Sequence, residues 1–282
     1  MANVNLGANH VMEYKISTDT TYKTGGYVGD GKFTKKKKQS TINYLPTANS
    51  TDGFANKITI TTGVDENYTM KLFPTDVAVI NDFSLTSQTA ATEYSIGIID
   101  KKNNQYTYTN NAVIKSVGLN IPEDGVLDIS LDFISKETVF RSTTDYADGV
   151  NIIHAPEETA QVLTNDNVTS VSFNGIPLKI SKFNIKIDYD IKEIPVIGSD
   201  YTDKIIVDKK ITIGDLSLSE NPPQTFVDAI QTEQSGDFVA VIGSRTITIP
   251  DIVFPEISET YNPKDILLNT FSSNEVGNIT IV

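Results

Sequence analysis

His10 and His154 are the only imidazoles in the chain. An imidazole is the usual general base near neutral pH, so Ser-His or Cys-His catalysis would run through one of them. Both lie in polar sequence, and no Gly-x-Ser-x-Gly elbow occurs. The run Gly26-Tyr27-Val28-Gly29-Asp30-Gly31-Lys32 has the glycine and lysine spacing of a phosphate loop. Phe33 stands where a Ser or Thr would hold magnesium. No apolar strand precedes the run and no amphipathic helix follows, so it reads as a flexible loop. Asp188-Tyr189-Asp190 places two acids on one strand face, without the glycine and distal glutamate of a calcium loop. Paired carboxyls could also hydrolyse a glycoside, given a concave site with aromatic platforms. The chain has no tryptophan to build one. There is no cysteine, which excludes disulfides and thiolate metal sites. The expectation is a protein that is not an enzyme and has no cofactor or metal. Lys35-Lys36-Lys37-Lys38 is the one basic run. It reads as a solvated loop tip, or as a loop touching an acidic surface of a neighbouring copy. DNA binding ranks third, because no aromatic residues interleave it.

What would position such residues is mostly β-strand. In Leu127-Asp128-Ile129-Ser130-Leu131-Asp132-Phe133 the odd positions are apolar and the even ones polar. Phe183 to Ile191 alternates in the same way over nine residues. Each such strand offers one dry face and one wet face. Further strands are expected at 57–62, 68–73, 94–99, 105–109, 112–121, 168–173, 203–213, 238–242, 245–249, 264–271 and 278–282. The apolar phase slips at Gly214-Asp215, which implies a β-bulge. One helix is expected at about 222–234. Asn221 can cap it, Pro222 suits its first turn, Phe226, Val227 and Ile230 share a face, and Gly236 ends it.

The 282 residues suffice for one large or two small domains, and a 39% hydrophobic fraction can build a core. The start, Met1 to Lys15, is polar, and no run of 18 apolar residues occurs, so a soluble, non-secreted product is expected. Thirty-six acids against 23 bases give a net charge of −13. Such a chain repels nucleic acid unless its bases cluster. Residues 141–167 are rich in Thr, Asp, Asn and Glu, with Val150-Asn151-Ile152-Ile153 as an apolar island.

The two sides of that segment resemble each other. Asn81–Leu85 lines up with Gly214–Leu218, and Tyr94–Ile99 with Phe238–Ile242. Gln105–Thr109 lines up with Arg245–Ile249, and Asp128–Phe133 with Asp265–Phe271. The expected organisation is a first β domain at 1–140, a linker or inter-subunit loop at 141–167 and a second β domain at 168–282. The helix at 222–234 has room for at most a single-turn counterpart in the first copy. The long segments 22–56 and 141–167 are expected to be mobile in the free chain and to contact other subunits.

Two blocks carry a resemblance: Ala112-Val113-Ile114-Lys115-Ser116-Val117-Gly118-Leu119-Asn120-Ile121, and Gly125 through Lys136. Together they resemble a segment of the major tail tube proteins of tailed bacteriophages. There a strand reading x-V-x-S-L-x-L-x-I meets one reading G-x-x-x-x-S-x-x-F-I-G-K. In the second half Val168–Phe173, Phe183–Ile191, Val196–Ser199, Lys210–Leu218, the helix, Phe238–Ile242 and Thr246–Pro250 follow the family's order. The resemblance covers about 95–282. Ser135 departs from the family's frequent glycine, and the lysine run is unusual for it.

The resemblance implies all-β domains of the tail-tube type, sandwich or barrel, duplicated in tandem, with one short helix. It implies a virion protein, assembled in the host cytoplasm, whose copies join their inner sheets into a barrel. Stacked rings then form the tube through which viral DNA leaves. Its partners would be itself, in rings of three or six chains, and other tail proteins. DNA would pass without sequence-specific binding, and no membrane is involved. A distal-tail, tail-terminator or baseplate protein of the same fold is the alternative, and a carbohydrate-binding or hydrolytic β-sandwich a further one. Asp128 and Asp132 share one strand face and Asp188 and Asp190 another. On this reading they are the candidate residues for a net-negative channel wall.

Overall fold

The computed structural model describes residues 10–44, 56–84, 92–156, 159–194, 203–255, 258–260 and 268–282. The protein is all-β. Its first half contains β1 (His10–Ile16), β2 (Lys23–Tyr44), β3 (Asn56–Phe73), α1 (Val79–Phe83), β4 (Glu93–Asp100), β5 (Gln105–Ile121) and β6 (Asp128–Ser142). A short 3₁₀ turn, Asn165–Asn167, leads into the second half. There follow β7 (Val168–Phe173), β8 (Ile176–Leu178), β9 (Ile180–Ile194), β10 (Asp203–Leu218), α2 (Gln224–Gln231), β11 (Gly236–Ile242) and β12 (Arg245–Ile252). The chain ends with β13 (Ser258–Thr260), β14 (Leu268–Phe271) and β15 (Thr280–Ile281). No helix among the described residues is long and apolar enough to cross a membrane.

β1, β2, β3, β6, β5 and β4 close into a six-stranded barrel. β5 makes closure possible because it is paired on both edges: β6 runs along one edge from Tyr106 to Asn120, and β4 pairs with the other from Gln105 to Val113 before β9 takes over at Ser116. In the second half the corresponding path is broken. β12 stops at Ile252 and β13 starts at Ser258. Pro255 lies in the gap and has no N–H to give a ladder.

The pairing scheme nevertheless recurs. β1 pairs with β2 and β4, as β7 pairs with β8 and β11. β2–β3 matches β9–β10, β4–β5 matches β11–β12, and β3–β6 matches β10–β14. β5–β6 matches β13–β14. A helix precedes the hairpin in both halves, five residues long in the first and eight in the second. One sequence correspondence fails in detail. Asn81–Phe83 belongs to α1, whereas Gly214–Leu218 finishes β10. The shared pattern there was helical spacing on one side and a bulge on the other. At that bulge the β9–β10 register shifts between Gly214 and Ser217, and Asp215 takes φ +49°.

One apolar cluster runs through both halves. Phe83 is fully buried against Tyr14, Tyr94 and Phe133, at centroid distances of 4.7, 5.1 and 5.7 Å. The second half centres on Phe173, Phe226 and Phe254, mutually 5.3–5.9 Å apart. Tyr189 of β9 donates its hydroxyl to the carbonyl of Phe83 at 2.5 Å and so ties one half to the other.

In the two long segments expected as mobile loops, 22–56 and 141–167, the described residues pair with the rest of the fold, while 45–55 and 157–158 lie outside the described residues. Lys35 to Lys38 lie within β2, paired with Glu66, Asp65, Val64 and Gly63 of β3, so the lysine run is strand and not loop tip. Acids stand opposite Lys35 and Lys36, and the four consecutive lysines carry no apolar alternation to mark a strand. The side chains of Lys36, Lys37 and Lys38 lie outside the described residues. Segment 141–167 is tied down as well. Tyr22 N donates to Ile153 O and Ile153 N to Thr20 O, at 2.9 and 3.0 Å. Leu163 bridges the carbonyl of Pro74 and the N–H of Leu127.

Candidate functional site

The second part of β5 is flanked by β6 on one side and β9 on the other. This joins β2, β3, β6, β5, β9, β10, β14 and β13 into one continuous sheet. Its inner face is core: Leu131 and Phe133 of β6, Val117 and Leu119 of β5, and Ile185 and Ile187 of β9 are buried. The alternate residues form the opposite, solvent-facing side.

Register fixes that side row by row. Lys32, Thr69, Asp132, Ser116, Asp188 and Lys210 lie opposite one another across six strands. The next row reads Asp30, Lys71, Ser130, Gly118, Lys186 and Thr212. Asp128 stands opposite Asn120, which stands opposite Asn184. Asp190 faces Asp208. The four aspartates singled out from alternation therefore share a single face of a single sheet. The sequence had placed them on two separate strand faces, because only the β5–β9 pairing brings those together.

The face is not a plain acidic wall. Lys71 Nζ is 2.9 Å from Asp128 Oδ2, and Asn120 Nδ2 donates to the same oxygen at 3.0 Å. Ser116 Oγ donates to Asp132 at 2.9 Å. Lys186 and Asp188 pair at 2.8 Å. Asp190 and Asp208 are like charges in direct opposition, an unfavourable cross-strand arrangement. Lys210 relieves it. Its hydrogen bond to Glu275, at 2.9 Å, and the charges of Glu275, Asp208 and Asp190 raise its pKa. The rows named above hold six aspartates and four lysines, so the face keeps a negative excess while lysines are interleaved with its acids.

This arrangement suits contact with a polyanion that is not to be held. A lysine already paired with a carboxylate gives less to a phosphate than an isolated one. Hydroxyls and amides supply the rest of the surface.

The other sequence candidates fall elsewhere. Gly26 to Lys32 is strand in β2, with Gly31 and Lys32 paired to Met70 and Thr69, so no loop is available to cradle a phosphate. His10 sits 3.4 Å from Asp100 at an exposed position. His154 is not on a mobile tail but between Glu13 and Asp145. Among the described residues no group of three or more His, Asp or Glu could hold a metal ion.

A cluster the sequence did not reveal lies on the opposite side of the barrel. Glu13, only 1% exposed, accepts from Tyr146 Oη at 2.7 Å and from Ala155 N at 3.0 Å. Its partners lie more than 130 residues away in sequence, so no local pattern announces it.

The chain matches no family model and no curated protein. The fold and the register of its faces must carry the functional reading.

Proposed function

We propose that this chain is a tail tube subunit, a structural virion protein whose rings stack into the conduit for viral DNA. One observation supports this most. The continuous sheet consists of four strands, β2-β3-β6-β5, followed by β9-β10-β14-β13 in matching order. The halves are two tube domains at about 1–140 and 168–282, and the β5–β9 seam is the junction between them. The sheet ends on β13 at one side and on β2 at the other. Beyond Tyr27, β2 has only β3 as a neighbour among the described residues, and β13 has only β14. Open edges recruit further strands. Setting β13 of one copy against β2 of the next repeats the β5–β9 seam. That head-to-tail contact closes into a ring when the rotation per copy divides a full turn. In a ring of six tube domains, the number usual in tail tubes, two domains per chain make three chains per ring. The mixed face with Asp128, Asp132, Asp188 and Asp190 then lines the channel.

Electron microscopy of the purified protein at high concentration tests the assembly. Long hollow tubes are expected. Single rings that never lengthen would favour a distal-tail or terminator protein with the same fold.

The channel assignment has its own test. Replacing Asp128 and Asp188 by lysine puts new cations beside Lys71 and beside Lys186 and Lys210. Tubes should still form. They should retain DNA at low salt and release it steeply as salt rises, because each new phosphate contact adds to the salt slope. Filter binding at several salt concentrations reads this directly. Unchanged DNA retention at low salt would remove these residues from the channel.

A further inference from the structure

We propose that His154, held between Glu13 and Asp145, is a proton-operated catch that straps segment 143–156 onto the outer face of β1 and β4 in the barrel. His154 Nδ1 lies 2.6 Å from Glu13 Oε1, and Nε2 lies 3.0 Å from both oxygens of Asp145. Ionised carboxylates only accept hydrogen bonds, and a neutral imidazole has one N–H. Only the imidazolium donates to both partners at once. Loss of its proton turns one of these contacts into a lone pair facing a carboxylate oxygen.

The strap covers the side of β1 and β4 that faces away from the core. Glu13, Lys15 and Ser95 are 1%, 6% and 3% exposed, although they lie on that outer side. Tyr146 lies over Gly97, where any Cβ would collide with its hydroxyl. The rings of Tyr22 and Tyr108 pack on Tyr146, and Tyr106 stacks on His154 at 6.3 Å. The titratable groups facing the catch are therefore Glu13 from β1, Tyr106 and Tyr108 from β5, Tyr22 from the approach to β2, and Asp145 and Tyr146 from the strap. Lys15 turns its ammonium to the carbonyls of Ser17 and Asp19.

Burial opposes charging His154, but the hydrogen bonds and charges of Asp145 and Glu13 outweigh it and raise the ring's pKa. Burial pushes the phenols of Tyr22 and Tyr146 far above their usual range, so they stay neutral. Burial also works against the charge of Asp145, but its bonds to His154 and Ala147 prevail and lower its pKa. A raised histidine pKa means the strap's stabilisation is complete below about 6.5, the free value. It is lost as pH rises through the folded value.

Hydrogen exchange of segment 143–156 in the full-length protein, corrected for intrinsic rates between pH 6 and 9, tests this. Between about 6.5 and the raised folded value the open fraction should grow about tenfold per pH unit, the slope of one linked proton, and above the folded value it should level off. His154→Gln should be open at low pH and insensitive to pH. His10→Gln should behave like the wild type. Gly97→Ala should open the strap at every pH by displacing Tyr146. In nitrogen-15 spectra of the wild type both ring nitrogens should carry protons at pH 6.5. A neutral His154 ring at pH 6.5, or a His154→Gln protein that keeps the wild-type pH profile, would overturn the proposal.

Discussion

Proline at Glu259, or at the neighbouring Ser258, is expected to raise sharply the concentration needed for tube growth while the chain stays folded. β13 is three residues long and pairs with β14 through Ser258↔Thr270, Glu259↔Asn269 and Thr260↔Leu268. Adjacent residues of a strand direct their N–H groups to opposite sides, so one of the two prolines removes an outward donor and spares β14. Proline cannot give that bond to an incoming β2, and its ring crowds the ladder. Leaving a buried acceptor unpaired costs about 1–3 kcal/mol. At about 1.4 kcal/mol per factor of ten, the concentration needed for assembly rises roughly tenfold to a hundredfold. The loss recurs at every junction of a ring. Sedimentation measures the assembly and thermal unfolding measures the fold. Two proline variants that both assemble at the wild-type concentration would exclude β13 as the joining edge.

The second large effect is on stability. Phe83→Ala is expected to cost about 3–5 kcal/mol, the usual range for emptying a buried phenylalanine site. Whole domains are stable by only about 5–15 kcal/mol, so most of the margin goes. Phe83 is fully buried on α1, between Tyr14 of β1, Tyr94 of β4 and Phe133 of β6. The helix cannot easily collapse into the space. Tyr94 Oη donates to the carbonyl of Asp82, and Tyr14 Oη to its carboxylate, both at 2.7 Å. Tyr189→Phe should cost about 1–3 kcal/mol, because it only leaves the Phe83 carbonyl without its donor. Urea midpoints of the three proteins check the order. A Phe83→Ala loss below that of Tyr189→Phe would contradict the burial of Phe83 between β1, β4 and β6.

Strands with one dry face were legible from sequence. β7 occupies 168–173 as expected, and Phe183, Ile185, Ile187 and Tyr189 of β9 are buried while Lys186 and Asp190 are exposed. The expected helix is present as α2 over a shorter span, with Phe226 and Ile230 buried. β1 was not legible. Val11 to Lys15 is buried on both faces, so it has no wet face to betray a strand. Its Glu13 is satisfied by donors more than 130 residues away that no window of sequence contains, while Lys15 bonds the nearby carbonyls of Ser17 and Asp19. β2 was missed for the opposite reason. Its lysine run carries no apolar alternation, and Lys35 finds Glu66 at 2.5 Å only after pairing with β3. The channel-face candidates came from period-two alternation alone. Their union on one face required the β5–β9 seam, a long-range contact between halves that local periodicity cannot encode. The interleaved lysines could have been found by extending the same alternation to Lys71, Lys186 and Lys210.

The most direct test is a cross-section of the assembled tube at a resolution that separates strands. The account predicts three chains per ring, β13 of each chain hydrogen-bonded to β2 of the next, and Asp128, Asp132, Asp188 and Asp190 facing the central channel. A protein that stays monomeric at every concentration would contradict it. So would a tube in which these aspartates face outward or β2 and β13 remain unpaired.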